Sequence, residues 1–435
     1  MSGLPLLWAH QQKIIDEARA RIRGGFLRLL VQLATGGGKT RLAIWIACSF
    51  LGRAGARRVL WIAPSRELAF QAHRALVEAG IEAGLIVAGE VNPAPAAAVQ
   101  VALIHTLLAW ELRPVADLVV VDEAHRILAG EWRKVIDFYS RTIVIGLTAT
   151  PERSDGVPMG DVFETLIVGP PIRDLVAAGH LVPCDVLAPT THLEDGVLGD
   201  AVGHYRKHGE GRQAFAFGLN VEHARALAEE FNVAGIPAAC IDGDMPDEER
   251  DGAIERFRRG ALHVLTNVRC LTEGVDVPEA SVCILASGCS SPSSYLQKIG
   301  RVRRAAPGKS RALVLDLKGS VHVHGLPDDD RIYSLQGRAI RDVEKLPVLV
   351  QCRRCGACYR ARPTCIRCGA RLPPPKLPRE LRGELSEIFA TAGIDEKRRY
   401  LERMHAEARA RGHKPGWAAF KFKAKYGHWP QRSAA

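Results

Sequence analysis

Short, largely apolar runs separated by helical stretches recur along this chain in two series. Val59–Ala63, Val99–Leu103, Leu118–Val121 and Ile143–Leu147 form the first, and Ala214–Phe217, Val264–Thr266, Val282–Leu285 and Ala312–Leu315 the second. Runs so short, with no polar alternation, suit strands buried on both faces, as in a parallel sheet covered by helices. The chain has 435 residues, room for two or three domains at ~150 residues each. The pattern therefore predicts an α/β protein with two tandem doubly wound parallel-sheet lobes. The join, from about Pro151 to Gly211, is rich in Pro, Gly and charge. No apolar run approaches ~18 residues, and the N-terminus lacks a cleavable signal pattern. A soluble, cytoplasmic protein with no membrane partner is expected.

The segment LATGGGKT at 33–40 follows the apolar run Leu29, Leu30, Val31 and opens a helical pattern through Leu42, Ala43, Ile44 and Ile46. Strand, glycine loop and helix bring backbone N–H groups and a helix N-terminus onto phosphate. Thr35, Gly36, Gly37 and Gly38 are the expected cradle for ATP. Lys39 would reach the β/γ-phosphates and the Thr40 hydroxyl would ligand Mg²⁺. The general pattern has glycine where this chain has Leu33. Further on, Asp122 and Glu123 leave the carboxyl end of the run Leu118–Val121, where open α/β sheets place ligands. Two adjacent carboxylates there divide the work: Asp122 holds Mg²⁺ and Glu123 polarises water.

With VDEAH at 121–125 and LTATP at 147–151 added, the chain resembles the superfamily 2 helicases and translocases in their DEAH-box form, over roughly residues 4–318. That resemblance implies RecA-like lobes and an ATP-dependent nucleic-acid motor. It implies that Gln11 reads the adenine edge, that APSREL (Arg66) with Gln71 grips the nucleic-acid backbone, and that Thr106 is its partner. LTATP resembles the motif coupling hydrolysis to strand movement, in the form more usual among DNA-directed members. In LTNVRCLTEGVDVP the match puts Thr272 against nucleic acid, and Glu273 and Asp276 near the nucleotide. QKIGRVRR at 297–304 completes the set with Gln297, Arg301 and Arg304. Arginine's planar, permanently charged fork suits the charge of a phosphoryl transition state, and the match makes Arg301 and Arg304 arginine fingers. Lys298 and Arg303 read as surface charges.

Eleven cysteines divide into two populations. Six (Cys48, Cys184, Cys240, Cys270, Cys283 and Cys289) are scattered through apolar stretches as buried thiols. Five crowd into 352–368, where Cys352-x₂-Cys355 and Cys365-x₂-Cys368 form two knuckles, each followed by glycine. Four thiolates so spaced favour a closed tetrahedral Zn²⁺ site without catalytic role. Cys358 either replaces Cys355 or is a spare thiol.

From Arg331 to the end there are 24 Lys/Arg against 9 Asp/Glu, while residues 1–330 carry 35 against 39. The basicity thus belongs to the C-terminal third, the expected footprint for a polyanion. LPPPKLP at 372–378 reads as a stiff linker, followed by helical patterns near 380–392 and 395–411. The ending interleaves Trp417, Phe420, Phe422, Tyr426 and Trp429 with Lys421, Lys423 and Lys425. Lysines would contact phosphate and aromatics would stack bases, although a small helical appendage also needs some of those rings for its core. A protein partner docking on this tail is the rival. The expected organisation is lobe 1 over 1–160, lobe 2 over 161–325, a zinc ribbon over 345–372 and a basic helical tail over 379–435. The expected activity is an ATP-dependent motor on nucleic acid, most naturally DNA. An RNA helicase, or the motor subunit of a restriction or repair complex translocating on duplex, are the alternatives.

Overall fold

The computed structural model describes residues 6–52, 57–126, 130–151, 157–189, 192–193, 197, 200–268, 277–336, 349–352, 354–360, 362–371, 394–410 and 416–426. Its contacts divide the chain into two units, one ending at Leu372 and the other beginning at Pro373.

The first unit holds two sheets. In the first, β1 (Arg28–Gln32), β2 (Val59–Ala63), β3 (Ala83–Ile86), β4 (Val99–Leu103), β5 (Leu118–Val121), β6 (Ile143–Thr148) and β7 (Thr165–Val168) lie in the order β3-β4-β2-β5-β6-β1-β7. Every pairing is parallel. Successive residues of a strand feed opposite faces. Leu29 and Val31 pack with Leu42, Ala43 and Trp61 on one side, and Leu30 packs with Leu60, Ile62 and Phe163 on the other. Each such fully buried aliphatic side chain contributes about 1.5–3 kcal/mol, which is why these strands carry no polar alternation. The sheet runs past residue 160, because β7 pairs with β1.

The second sheet contains β8 (Cys184–Leu187), β9 (Ala214–Phe217), β10 (Ala238–Cys240), β11 (Val264–Asn267), β12 (Val282–Leu285), β13 (Ala312–Asp316), β14 (Leu349–Gln351) and β15 (Ala357–Arg360), in the order β10-β11-β9-β12-β13-β8-β15-β14. The first six strands of that order are parallel. β15 joins β8 antiparallel, and β14 joins β15 antiparallel. The cysteine-rich segment therefore extends the second sheet instead of hanging beside it, a pairing that a cysteine pattern cannot announce.

In the second unit, helices Ile394–Ala410 and Trp417–Tyr426 pack together with Met404, Ala418 and Phe422 buried. The Tyr400 and Phe422 rings lie 6.5 Å apart. Phe422 thus serves the core of this small unit instead of facing a base. The helix expected near 380–392, and Trp429, lie outside the described residues. No described helix is long and apolar enough to cross a membrane.

Candidate active site and metal centre

The phosphate loop leaves β1 and ends in the helix Lys39–Leu51. Gly36 (φ 83°) and Gly38 (φ 86°) adopt left-handed backbone, a region that glycine enters without steric cost. Neighbours reinforce the requirement: a Cβ on Gly36 would lie 2.7 Å from Leu181, and one on Gly38 would lie 2.4 Å from Gln11. Asp122 and Glu123 emerge two strands away, at the end of β5. Both are buried, and Glu123 also has positive φ (45°). The Glu123 N–H donates to Asp122 Oδ1 at 2.9 Å.

Charges converge on Glu123. Lys39 Nζ is 3.7 Å from its Oε1, and His125 Nδ1 is 3.4 Å from its Oε2. Burial pushes the Glu123 carboxyl upward, but Lys39, His125, Arg301 and Arg126 together outweigh it and hold it below the usual carboxylate range. The group is therefore a poised anion. His125 Nδ1 also lies 3.2 Å from Thr148 Oγ1, which donates to Thr150 O. Gln32 Nε2 donates to Ala149 O and ties β1 to the same segment.

From the second lobe, Gln297, Arg301 and Arg304 reach this cleft, a space of roughly 1260 Å³ that Thr35, Gly36, Gly38, Lys39, Thr40, Asp122 and Glu123 also line. The helix Pro292–Gly300 carries Gln297 and closes on the loop: a Cβ on Gly300 would sit 2.4 Å from Thr35 Cβ. Thr150 Oγ1 donates to Ser293 Oγ at 2.6 Å, and Arg250 pairs with Glu67 at 2.9 Å. The lobes thus meet through the motifs that flank the cleft. Cationic and N–H donors with two buried carboxylates fit an anhydride polyphosphate and its divalent cation, with Lys39 and the glycine loop on phosphate and Thr40 and Asp122 on the metal.

The remaining expected residues take varied places. Gln11 is fully buried, against Gly38 and Trp8 of the cleft lining. Its Nε2 donates to Gly38 O (3.0 Å) and its Oε1 accepts from Trp8 N–H (2.9 Å), so its amide braces the phosphate loop. Thr106 is buried, with its hydroxyl accepting from Ala88 N–H. Arg66 begins the helix Arg66–Glu78 and pairs with Glu90 while donating to Ala88 O. Arg303 is not a surface charge: it is 1% exposed, donates to Val182 O and pairs with Asp328. Lys298 is likewise buried, its Nζ over the Phe217 ring. Both long stems cross packed lobe-2 core before reaching a partner, which charge alone in a sequence does not reveal. Thr272, Glu273 and Asp276 lie outside the described residues, as do the side chains of Lys423 and Lys425; Lys421 is exposed, its Nζ 5.4 Å from the Trp417 ring centroid. The sequence reading also passed over Trp8, whose ring stacks on His180 at 3.9 Å with the Arg41 guanidinium 4.6 Å from it, all three lining the cleft. Its place three residues before Gln11 was the available signal.

The candidate metal centre is built by backbone turns. Gly356 (φ 72°) and Gly369 (φ 69°) let their N–H groups return to Cys352 O and Cys365 O. The sulfurs of Cys352, Cys355, Cys365 and Cys368 all lie within 4.8 Å of one another, and all four cysteines are free thiols. Burial opposes ionisation of Cys352, but N–H groups of Cys355 and Arg354 and the neighbouring thiols hold it down to about 6. Four thiols so placed fit tetrahedral Zn²⁺. Cys358 is excluded from the cluster: it points into the lobe-2 core with Val186 and Cys283, and burial pushes its thiol up to about 11.

Two family models match the chain: "Type III restriction enzyme, res subunit" over residues 6–153 and "Helicase conserved C-terminal domain" over 197–306. A "51.5 kDa protein" of a Lactococcus phage is 30% identical over 265 residues, covering 56% of this chain and 58% of its own. IRC3 of Saccharomyces cerevisiae, provisionally named an ATP-dependent helicase, is 27% identical over 363 residues, covering 73% and 52%. The chain therefore spans little more than half the length of these relatives. Among solved structures, a fragment provisionally assigned as the HsdR subunit of a type I restriction enzyme from Vibrio vulnificus superposes with a TM-score of 0.57 at 23% identity, covering 75% of this chain and 67% of its own.

Proposed function

The chain belongs to superfamily 2 of the helicases and translocases, and on that premise we propose that it is an ATP-driven motor on nucleic acid, with DNA as substrate. The observation that carries this reading is the cleft in which Lys39, Thr40, Asp122 and Glu123 of one lobe face Gln297, Arg301 and Arg304 of the other. Mg²⁺-ATP, when bound there, supplies the phosphoanhydride whose cleavage drives the motor. Lys39 and the N–H groups of the glycine loop bind the β/γ-phosphates, and Thr40 and Asp122 hold the cation. Glu123, kept anionic by its neighbours, orients water and takes up its proton. Arg301 and Arg304 neutralise charge on the transferring group. Because they belong to the second lobe, turnover depends on lobe closure.

Arg66, with Thr272 from the second lobe, contacts the sugar-phosphate backbone, so sequence preference is slight. Thr106 acts through Ala88, whose N–H it holds. By the family resemblance, Glu273 and Asp276 serve the nucleotide. The LTATP segment and the restriction-enzyme description of the first family model support DNA over RNA. That same description favours a second reading, a motor subunit that translocates on duplex without separating strands. Zn²⁺ at the four cysteines has a structural part only.

ATPase rates with single-stranded, duplex and forked DNA and with matching RNA test this reading. DNA should stimulate most. Greater stimulation by RNA reverses the substrate, duplex stimulation without strand separation selects the second reading, and no stimulation by any of them refutes the motor.

A further inference from the structure

The cysteine knuckle has a surface that its structural role leaves unexplained. Ala357 pairs with Leu187, the last residue of β8, and Gln351 Nε2 donates to Ala188 O. The turn Cys352–Gly356 therefore stands at the carboxyl edge of the second lobe's parallel strands, the edge where open α/β sheets present ligand-binding loops. Residues 349–371 contain no Asp or Glu. Arg354, Arg362 and Arg371 are exposed there, and among the described residues none has an acidic partner. Arg360 differs, since Asp329 holds it.

We propose that the exposed surface of the segment 349–371 docks the phosphate backbone of duplex DNA through Arg354, Arg362 and Arg371. Guanidinium forks match phosphate geometry, and a rigid knuckle holds them without the ordering cost of a flexible arm. Duplex is the form that fits. Single strands are gripped by exposed aromatic faces, whereas the one aromatic residue in 349–371, Tyr359, is buried. The inference rests on the motor reading and adds a contact outside the cleft, using residues other than the tail lysines.

The test uses the full chain and a DNA duplex of about 30 base pairs, titrated between about 50 and 200 mM salt, where each lost phosphate contact flattens the log–log slope by about 0.9. Arg354→Gln/Arg362→Gln/Arg371→Gln should flatten it by about 2 to 3, with zinc content and basal ATPase unchanged. The corresponding triple Lys variant, which keeps the charges, should retain the slope. Should the triple Gln variant lose zinc, the single variants carry the test, each flatter by about 0.9. An unchanged slope overturns the proposal. So does an equal loss on single-stranded DNA, or a loss confined to vesicles of anionic phospholipid. Wild-type protein that binds no nucleic acid would overturn the motor reading as well, an outcome visible before any variant is made.

Discussion

Lys39 and Glu123 lie 3.7 Å apart, yet their removal should have unlike consequences. Lys39→Ala deletes a cation that binds phosphate in both ground and transition states, so affinity and turnover should both fall. Glu123→Gln keeps shape and loses the base, so turnover should fall by about 10²-fold or more while ATP is retained. Steady-state hydrolysis with nucleotide titration separates the two, and wild-type rates in either variant would show the site to be misassigned. The Glu123 carboxyl is held below the usual range, so its stabilising interactions persist above its unfolded-state pKa and disappear as pH falls through the lowered one. Arg303 makes a different point at this scale. Breaking a fully buried pair costs ~3–5 kcal/mol, but its partner Asp328 is 42% exposed. Arg303→Met should therefore destabilise the second lobe by less, about 2 kcal/mol, measurable by denaturant unfolding.

Elements meet where side chains are smallest. Gly300 ends the lobe-2 helix against Thr35, and Gly300→Ala would place a methyl carbon 2.4 Å from Thr35 Cβ. The lobes must then part slightly. We expect nucleic-acid-stimulated hydrolysis to drop at least tenfold by a rough positioning argument, with ATP binding to the first lobe preserved; undiminished stimulation would mean that this contact is not part of the working closed state. Elsewhere in the second lobe, β15 pairs with β8, and Cys352, Cys365 and Tyr359 share a core cluster with Leu187 and Leu313. Cys365→Ser should lose the single Zn²⁺ and raise hydrogen exchange in 349–371 and in β8, with the first lobe unaffected. Cys358→Ser should keep its metal, because that thiol faces the other cluster. Elemental analysis decides both.

For the molecule as a whole, charge is divided as unevenly as its two compact units are. Residues 331–435 carry 24 Lys/Arg against 9 Asp/Glu, whereas the rest is slightly acidic. Removing 373–435, a cut that coincides with the boundary between the units, should weaken nucleic-acid binding and flatten its salt dependence while basal hydrolysis survives. Lys421, Lys423 and Lys425 replaced by Ala should reproduce part of that loss. Unchanged affinity and slope in the truncated protein would assign the tail to a protein partner.

The alternation of buried runs, the phosphate loop and the acidic pair were legible in the sequence because each depends on neighbours a few residues away. A strand buried on both faces must be largely apolar, a cradle for phosphate must have left-handed glycines, and a chelating knuckle must have its two thiols one turn apart. Tertiary packing decided what depends on residues distant in the chain. It placed Arg303 and Lys298 in the core and turned the Gln11 amide onto the loop. It welded β14 and β15 onto β8, and separated Cys358 from the other four thiols by putting alternate residues of one strand on opposite faces. Local pattern specifies the type of an element and the chemistry it can carry, whereas the partner that each buried polar group finds is set only when the lobes have packed, because satisfying that group requires an atom from elsewhere in the chain.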